Sequence, residues 1–143
     1  MDLITSLTSE AVGKALDGVS LRHKSIASNL ANAETPGYHR ADVSFENELA
    51  VALKHDRERQ HRGFSPGRMI QIQNDIGGSG NSHVSQMTPK IEHDTDHKYR
   101  NDGNSVDVES ELVALTKNTQ RYMALVNLQT RLKRQITTAI QGG

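Results

Sequence analysis

Cysteine and tryptophan are absent from this 143-residue chain, and rings are scarce, with two phenylalanines and three tyrosines. Without cysteine there can be neither disulfide staples nor thiolate metal sites, though this says little about compartment. Only 34% of the residues are hydrophobic, which makes a thick globular core hard to build. Thin helical packing, with partners completing the burial, is the easier solution. A surplus of one charge sign is also missing, since 17 Lys and Arg balance 17 Asp and Glu. Phosphate binding needs a basic excess or face, so nucleic acid is not expected as a partner. No run approaches the roughly 20 apolar residues that span a bilayer, so no direct membrane span is expected. The opening M-D-L-I-T-S-L-T-S-E has an acidic second residue and no secretory apolar core. If the protein leaves the cytoplasm, it is expected to do so without a cleavable signal peptide.

Catalytic patterns are lacking too. Gly77-Gly78-Ser79-Gly80 is not followed by the Lys-Ser/Thr that would hold phosphate and magnesium. Serines and histidines are scattered, with no G-x-S-x-G elbow. We therefore expect no enzyme activity, no catalytic residue and no cofactor. His93–His97, H-D-T-D-H, is the best metal candidate, because on a helix its two imidazoles would share a face. The segment follows Thr88-Pro89, runs into Asn101-Asp102-Gly103 and has no third ligand in a nearby pattern. It reads as a solvated loop, and no metal is expected.

What the chain does have is two long amphipathic stripes. In residues 4–33, Val12, Leu16, Val19, Ile26, Leu30 and Ala33 fall on one helical face, with His23 filling one step. Gly13 and Gly18 each cost such a helix up to about 1 kcal/mol relative to alanine, so it should become firm only when packed. The helix must stop at Thr35, because Pro36 pushes its predecessor out of the α region. Pro36-Gly37 suits the centre of a type II turn, with Tyr38 placed to pin it against a neighbouring helix.

Residues 41–57 read as a shorter helix with Val43, Phe45, Leu49, Ala52 and Leu53 as apolar positions, and Asp42 or Ser44 as its cap. The mixed-charge run Lys54–Arg62 reads as its solvated end. From Gly63 to Asn104 glycine-rich turn chemistry prevails, with one short alternation at Ile70 and Ile72 fit for a small strand. Asp107 then caps a last helix carrying Glu109 and Glu111 in its first turn. Leu112, Leu115, Thr119, Tyr122, Val126, Gln129 and Ile136 keep its rhythm, widened by Leu125, Leu128 and Leu132.

The expected fold is all-α: long N- and C-terminal helices paired as an antiparallel coiled-coil-like hairpin, a short third helix, and a loose, mostly irregular middle. The parts are residues 1–38, 39–62, 63–105 and 106–143, with the helices forming one discontinuous domain. The helix-packing set is Val12, Leu16, Val19, Ile26, Leu112, Leu115, Tyr122, Leu125, Val126, Leu132 and Ile136. Periodicity alone does not separate packing within one chain from a seam shared between chains.

Ser28–Tyr38, S-N-L-A-N-A-E-T-P-G-Y, closely resembles the signature near the N-terminus of bacterial flagellar rod and hook proteins. Its distinctive positions are Asn29, Leu30, Ala31, Asn32, Thr35, Pro36, Gly37 and Tyr38. Asp102–Leu112, D-G-N-S-V-D-V-E-S-E-L, and Leu115–Leu125 resemble the proximal members of the basal-body rod family. The resemblance covers both terminal helices, roughly half the chain. It implies a structural subunit of the basal-body rod, the drive shaft linking membrane ring to hook and required for motility. Its implied partners are copies of itself, other rod subunits, membrane-ring and rod-base adaptor proteins, and the flagellar type III export gate. Its implied place is the rod where it crosses the periplasm. Early export substrates of this class carry a Phe-x-x-x-apolar gate-recognition element, which Phe45 and Leu49 fit. Buried polar groups at Asn29, Asn32 and Tyr38 would either fix register between helices or merely cap the helix end. The alternatives are another rod or hook axial component, or a non-polymerising helical adaptor of the export apparatus.

Overall fold

The computed structural model describes residues 3–62, 82–93 and 101–141. Helix α1 runs over Leu3–Ala31, about 43 Å at the usual rise. Its last turn loosens at Asn32, whose N–H is shared between the carbonyls of Ser28 and Asn29. The reverse turn follows as its residues require: the Tyr38 N–H donates to the Thr35 carbonyl at 3.3 Å, and Gly37 takes φ +70°.

The next segment departs from the expected helix. Ala41–Ser44 is a strand, β1, and α2 begins only at Glu46, running to Arg62. Ala41 and Val43 point inward while Asp42 and Ser44 point out, a period-two pattern that a helix cannot satisfy. Neither proposed cap is used; the Phe45 carbonyl accepts the first α2 bond, from Leu49 N–H at 2.9 Å. β1 pairs antiparallel with β2, Lys90–His93, in the register Ala41↔His93 to Ser44↔Lys90. A single helical turn, α3 at His83–Gln86, precedes β2. The all-α expectation therefore needs correcting: the chain is mostly helical, with a small two-stranded sheet. The irregular middle likewise contains α3 and β2 in its described part. The strand expected at Ile70 and Ile72 lies outside the described residues.

Helix α4, Val108–Gln141, spans about 51 Å. Asp107 caps it as its chemistry requires, accepting from Glu109 N–H at 3.1 Å and from the Ser110 hydroxyl at 2.7 Å. The Ser110 hydroxyl, with the Glu109 and Ser110 amides, holds the Asp107 carboxyl below its ordinary pKa. α4 lies along α1. Asn29 meets Glu111 and, further back along α1, the Val19 carbonyl accepts from Asn118 Nδ2 at 3.0 Å, so over this stretch the helices run in opposite directions.

Two small apolar clusters form the core. Ala15, Val19, Val43, Phe45 and Met87 make the first, with Leu125 of α4 packed on it. Leu7, Ala11, Ala52 and Val84 make the second, and Leu49 touches both. His23, which fills a step of the α1 stripe, is exposed.

The two α1 glycines differ in consequence. A Cβ built on Gly18 would lie 2.6 Å from the Phe45 ring, whereas one on Gly13 meets nothing within 4 Å. Phe45 is buried, with the Arg22 guanidinium 4.9 Å over its ring, so it has little room to yield. Gly13→Ala should stabilise the fold by up to about 1 kcal/mol through helix propensity. Gly18→Ala should instead destabilise it, since overpacking costs about 1–3 kcal/mol and exceeds the same propensity gain. Urea unfolding of the two variants reads the opposite signs.

Candidate functional site: a polar lock joining the two ends of the chain

Among the described residues, four of the six largest fully buried side chains are polar: Asn29, Asn104, Ser105 and Glu111. Buried polar groups cost free energy unless each finds its partners, and here they find one another. Asn29, in the last turn of α1, grips the start of β1. Its Nδ2 donates to the Ala41 carbonyl at 2.8 Å, and its Oδ1 accepts from the Ala41 N–H at 2.9 Å. The same oxygen accepts from the Tyr38 hydroxyl, and Nδ2 also reaches Glu111 Oε2, both at 3.2 Å. Asn29 thus ties α1, the turn, β1 and α4 together.

Asn104 does the matching work from the other side. Its Nδ2 donates to the carbonyls of Asn32, Ala33 and Thr35 at 3.0, 3.1 and 2.8 Å. All three belong to the turn that follows α1. Its Oδ1 accepts from Val106 N–H at 2.7 Å, which shapes the entry into α4. The two loops are also zipped along the backbone, by Gly37 N–H to the Asp102 carbonyl and Ser105 N–H to the Tyr38 carbonyl, both 3.1 Å. The Arg40 N–H adds a bond to Ser105 Oγ at 2.7 Å.

One ion pair completes the lock. Arg40 Nε donates to the buried Glu111 carboxylate, and Nη1 reaches Asp42 at 3.2 Å. Burial works to lower the Arg40 pKa, but the bond and charge of Glu111 outweigh it and hold the guanidinium above its ordinary value. A similar clamp stands alongside, where Arg22 donates to the Val43 carbonyl and to Glu46. The Arg22 hydrogen bond holds the Glu46 carboxyl below its ordinary pKa.

The residues expected at the turn fall into two groups. Asn29 and Tyr38 join the lock. Asn32 and Thr35 side chains bond locally, Asn32 to the Ser28 carbonyl and Thr35 to Asn32. Leu30 is half-buried, and Ala31 and Pro36 are exposed. Among the packing set, Val12, Val19 and Ile26 are buried within the chain; Leu16, Leu115, Leu125, Leu132 and Ile136 are half-buried; Leu112, Tyr122 and Val126 are exposed. Phe45 is buried and Leu49 half-buried. Arg40, Asn104, Ser105 and Glu111 were missed as partners of the turn. Their one signal was lying in or beside the two quoted motifs.

Nothing in the lock is arranged for chemistry on a substrate, because its donors and acceptors are spent on each other. Among the described residues no three His, Asp or Glu side chains converge on a metal position. His93 belongs to β2, and His97 lies outside the described residues.

The two motifs that resembled rod proteins are therefore halves of one structure, and known proteins match the chain across both. The flagellar basal body rod protein FlgB of Borreliella burgdorferi is 32% identical over 127 residues, 88% of this chain and 90% of its own length. This chain belongs to the FlgB family of flagellar basal body rod proteins. FlgB of Borrelia hermsii is 29% identical over 140 residues, covering 96% of this chain and 98% of the relative. FlgB of Bacillus subtilis is 29% identical over 140 residues, 95% of each. A separate comparison with protein-family models matches none.

A second polar anchor in this FlgB-family chain lies in the Lys54–Arg62 run. The run is not uniformly solvated, for Asp56 is buried. Its carboxylate accepts from His83 N–H and Val84 N–H, both at 3.0 Å, and pairs with His83 Nδ1 at 2.9 Å. Burial alone would raise its pKa; the Val84 and His83 bonds prevail and hold it below the ordinary 3.8. Since the folded value is below the unfolded one, the anchor's contribution is complete above about pH 4 and is lost as pH falls further. Asp56→Asn should cost about 1–3 kcal/mol at neutral pH, with the gap to the parent chain closing below pH ~4. Urea unfolding across a pH series measures both.

Proposed function

We propose that this chain is a structural, non-catalytic subunit of the proximal part of the flagellar rod, the drive shaft between membrane ring and hook. FlgB kinship over nearly the whole chain carries this reading. A torque-bearing shaft needs subunits whose two ends cannot slip past one another. A network of short, mutually satisfied polar bonds is suited to this, since it specifies one register where apolar packing alone tolerates several. On this reading α1 and α4 continue their pairing as an antiparallel coiled-coil-like hairpin. Copies of the chain, other rod subunits and rod-base adaptors then cover what α4 leaves exposed.

The subunit would reach its place across the periplasm through the type III export apparatus, without a cleavable signal peptide. The export gate would read Phe45 and Leu49 on the unfolded chain, because folding tucks the Phe45 ring beneath Arg22. Deleting the gene from its own bacterium should leave basal bodies without a rod and cells that cannot swim, both restored by the intact gene. Normal flagella in the deletion strain would overturn the reading.

A further inference from the structure

Residues 82–93, with α3 and β2 in them, lie as a strap against α1, β1 and α2. Val84 closes one core cluster, with Leu7 and Ala11 of α1 and Ala52 of α2. Met87 closes the other, with Phe45 and Val43. Leu49 packs on both clusters. The strap thus completes the burial around Phe45 and Leu49, while the Arg22 clamp holds the Phe45 ring from the α1 side.

Little apolar surface holds the strap down. Of its twelve residues only Val84 and Met87 are buried, and all four residues of β2 are exposed. A pairing of two strands is marginal by itself. The Lys90–Glu48 ion pair, 3.0 Å long, is exposed on both sides and adds little. The firm tie is the buried Asp56 carboxylate, which takes the His83 and Val84 N–H groups. Ser82 adds one bond, donating to Glu10 Oε2 at 2.8 Å. The lock is built differently. Its side chains are fully buried, and its bonds run between α1, the turn, β1 and residues 102–111. The two assemblies meet at β1, where Ala41 faces His93 and is gripped by Asn29. Segments with few buried apolar contacts and exposed backbone bonds open at a lower free energy than the body around them.

We propose that residues 82–93 lift as one piece while the lock stays shut, and that this lifting is the first step in uncovering Phe45 and Leu49. The Arg22 clamp is still closed at that stage and gives way later. The strap's role in export rests on the reading of Phe45 and Leu49 as the element the export gate takes hold of. Asp56 then sets how readily the first cover comes off, and the joint between the chain's two ends does not have to break for it to do so.

The absence of cysteine makes the test clean, because an introduced thiol is the only one present. Val84→Cys places it in the strap and Val106→Cys, at a buried position beside Asn104, places it in the lock. Each purified chain is mixed with excess maleimide without denaturant, and the labelling rate is read by mass. Val84→Cys should react at least tenfold faster than Val106→Cys. Adding Asp56→Asn should speed Val84→Cys about tenfold or more and leave Val106→Cys within twofold. Adding Asn104→Ala should do the reverse. Leu49→Cys should gain the same factor from Asp56→Asn as Val84→Cys does. Equal rates for strap and lock, or an Asp56→Asn effect that is absent or common to both, would overturn the separate lifting. A Leu49→Cys rate that ignores Asp56→Asn would overturn the uncovering. Where Val84→Cys or Val106→Cys does not fold, Met87→Cys and Ser25→Cys, at buried positions of the strap and of α1, replace them. The gate reading falls separately, if Phe45→Ala is secreted by its own bacterium as well as the parent chain.

Discussion

Arg40→Leu is expected to destabilise the chain by about 3–5 kcal/mol, the usual cost of stranding a buried charge by removing its partner. Glu111 is fully buried. Without Arg40 its carboxylate keeps only the Asn29 amide, at 3.2 Å, which cannot replace a full positive charge. Glu111→Leu in the same background should recover most of the loss, because buried ion pairs replaced as a unit by apolar residues are often neutral. Urea unfolding of the single and double variants closes a thermodynamic cycle; additive costs would show that the pair does not act as a unit. A cost of this size is a large fraction of the roughly 5–15 kcal/mol that holds ordinary domains folded. Motility should fall with it, because Arg40 joins β1 to the start of α4.

The long elements were legible because their signals are long. The α1 stripe repeats from Val12 to Ala33 over about six turns, and its stop at Pro36-Gly37 is written in residues with one backbone use. Asp107 announced α4 for the same reason, as a capping carboxylate followed by acidic residues. β1 was not legible: four residues give Ala41 and Val43 only two inward positions, and the same residues fit a helix start. What makes them a strand is β2, some 46 residues later in sequence, a nonlocal partner that no local pattern reveals. The lock failed to appear for a related reason. Glu111 has an ordinary local explanation, as an acid at a helix N-terminus, and only the return of Arg40 and Asn29 makes it a buried partner. Asp56 hid inside a run whose alternating charges read correctly for its neighbours. Local chemistry reveals where a helix begins and ends; which polar residue is swallowed depends on the chain returning to it.

Asn104 offers the sharpest test of the lock, because a single atom exchange inverts its role. Its amide nitrogen donates to three carbonyls at once. Asn104→Asp keeps the shape but turns an oxygen lone pair towards those oxygens, and a buried charge without a positive partner costs about 3–5 kcal/mol. Asn104→Ala, which removes the donor without adding charge, should cost less, about 1–3 kcal/mol. The aspartate variant should also acquire a pH dependence that the alanine variant lacks. Buried among carbonyls, the new carboxyl prefers its protonated form, so its folded pKa rises above the unfolded value near 4. The folded variant then binds the extra proton, and its stability must increase as pH drops from neutral towards ~5. Asp56 does not confuse the measurement, since its contribution is lost only below the ordinary carboxylate range. If Asn104→Asp unfolds at the same urea concentration as the parent, or shows no recovery with acid, Asn104 is not holding the end of α1, and the joint between the chain's two ends rests on apolar contact alone.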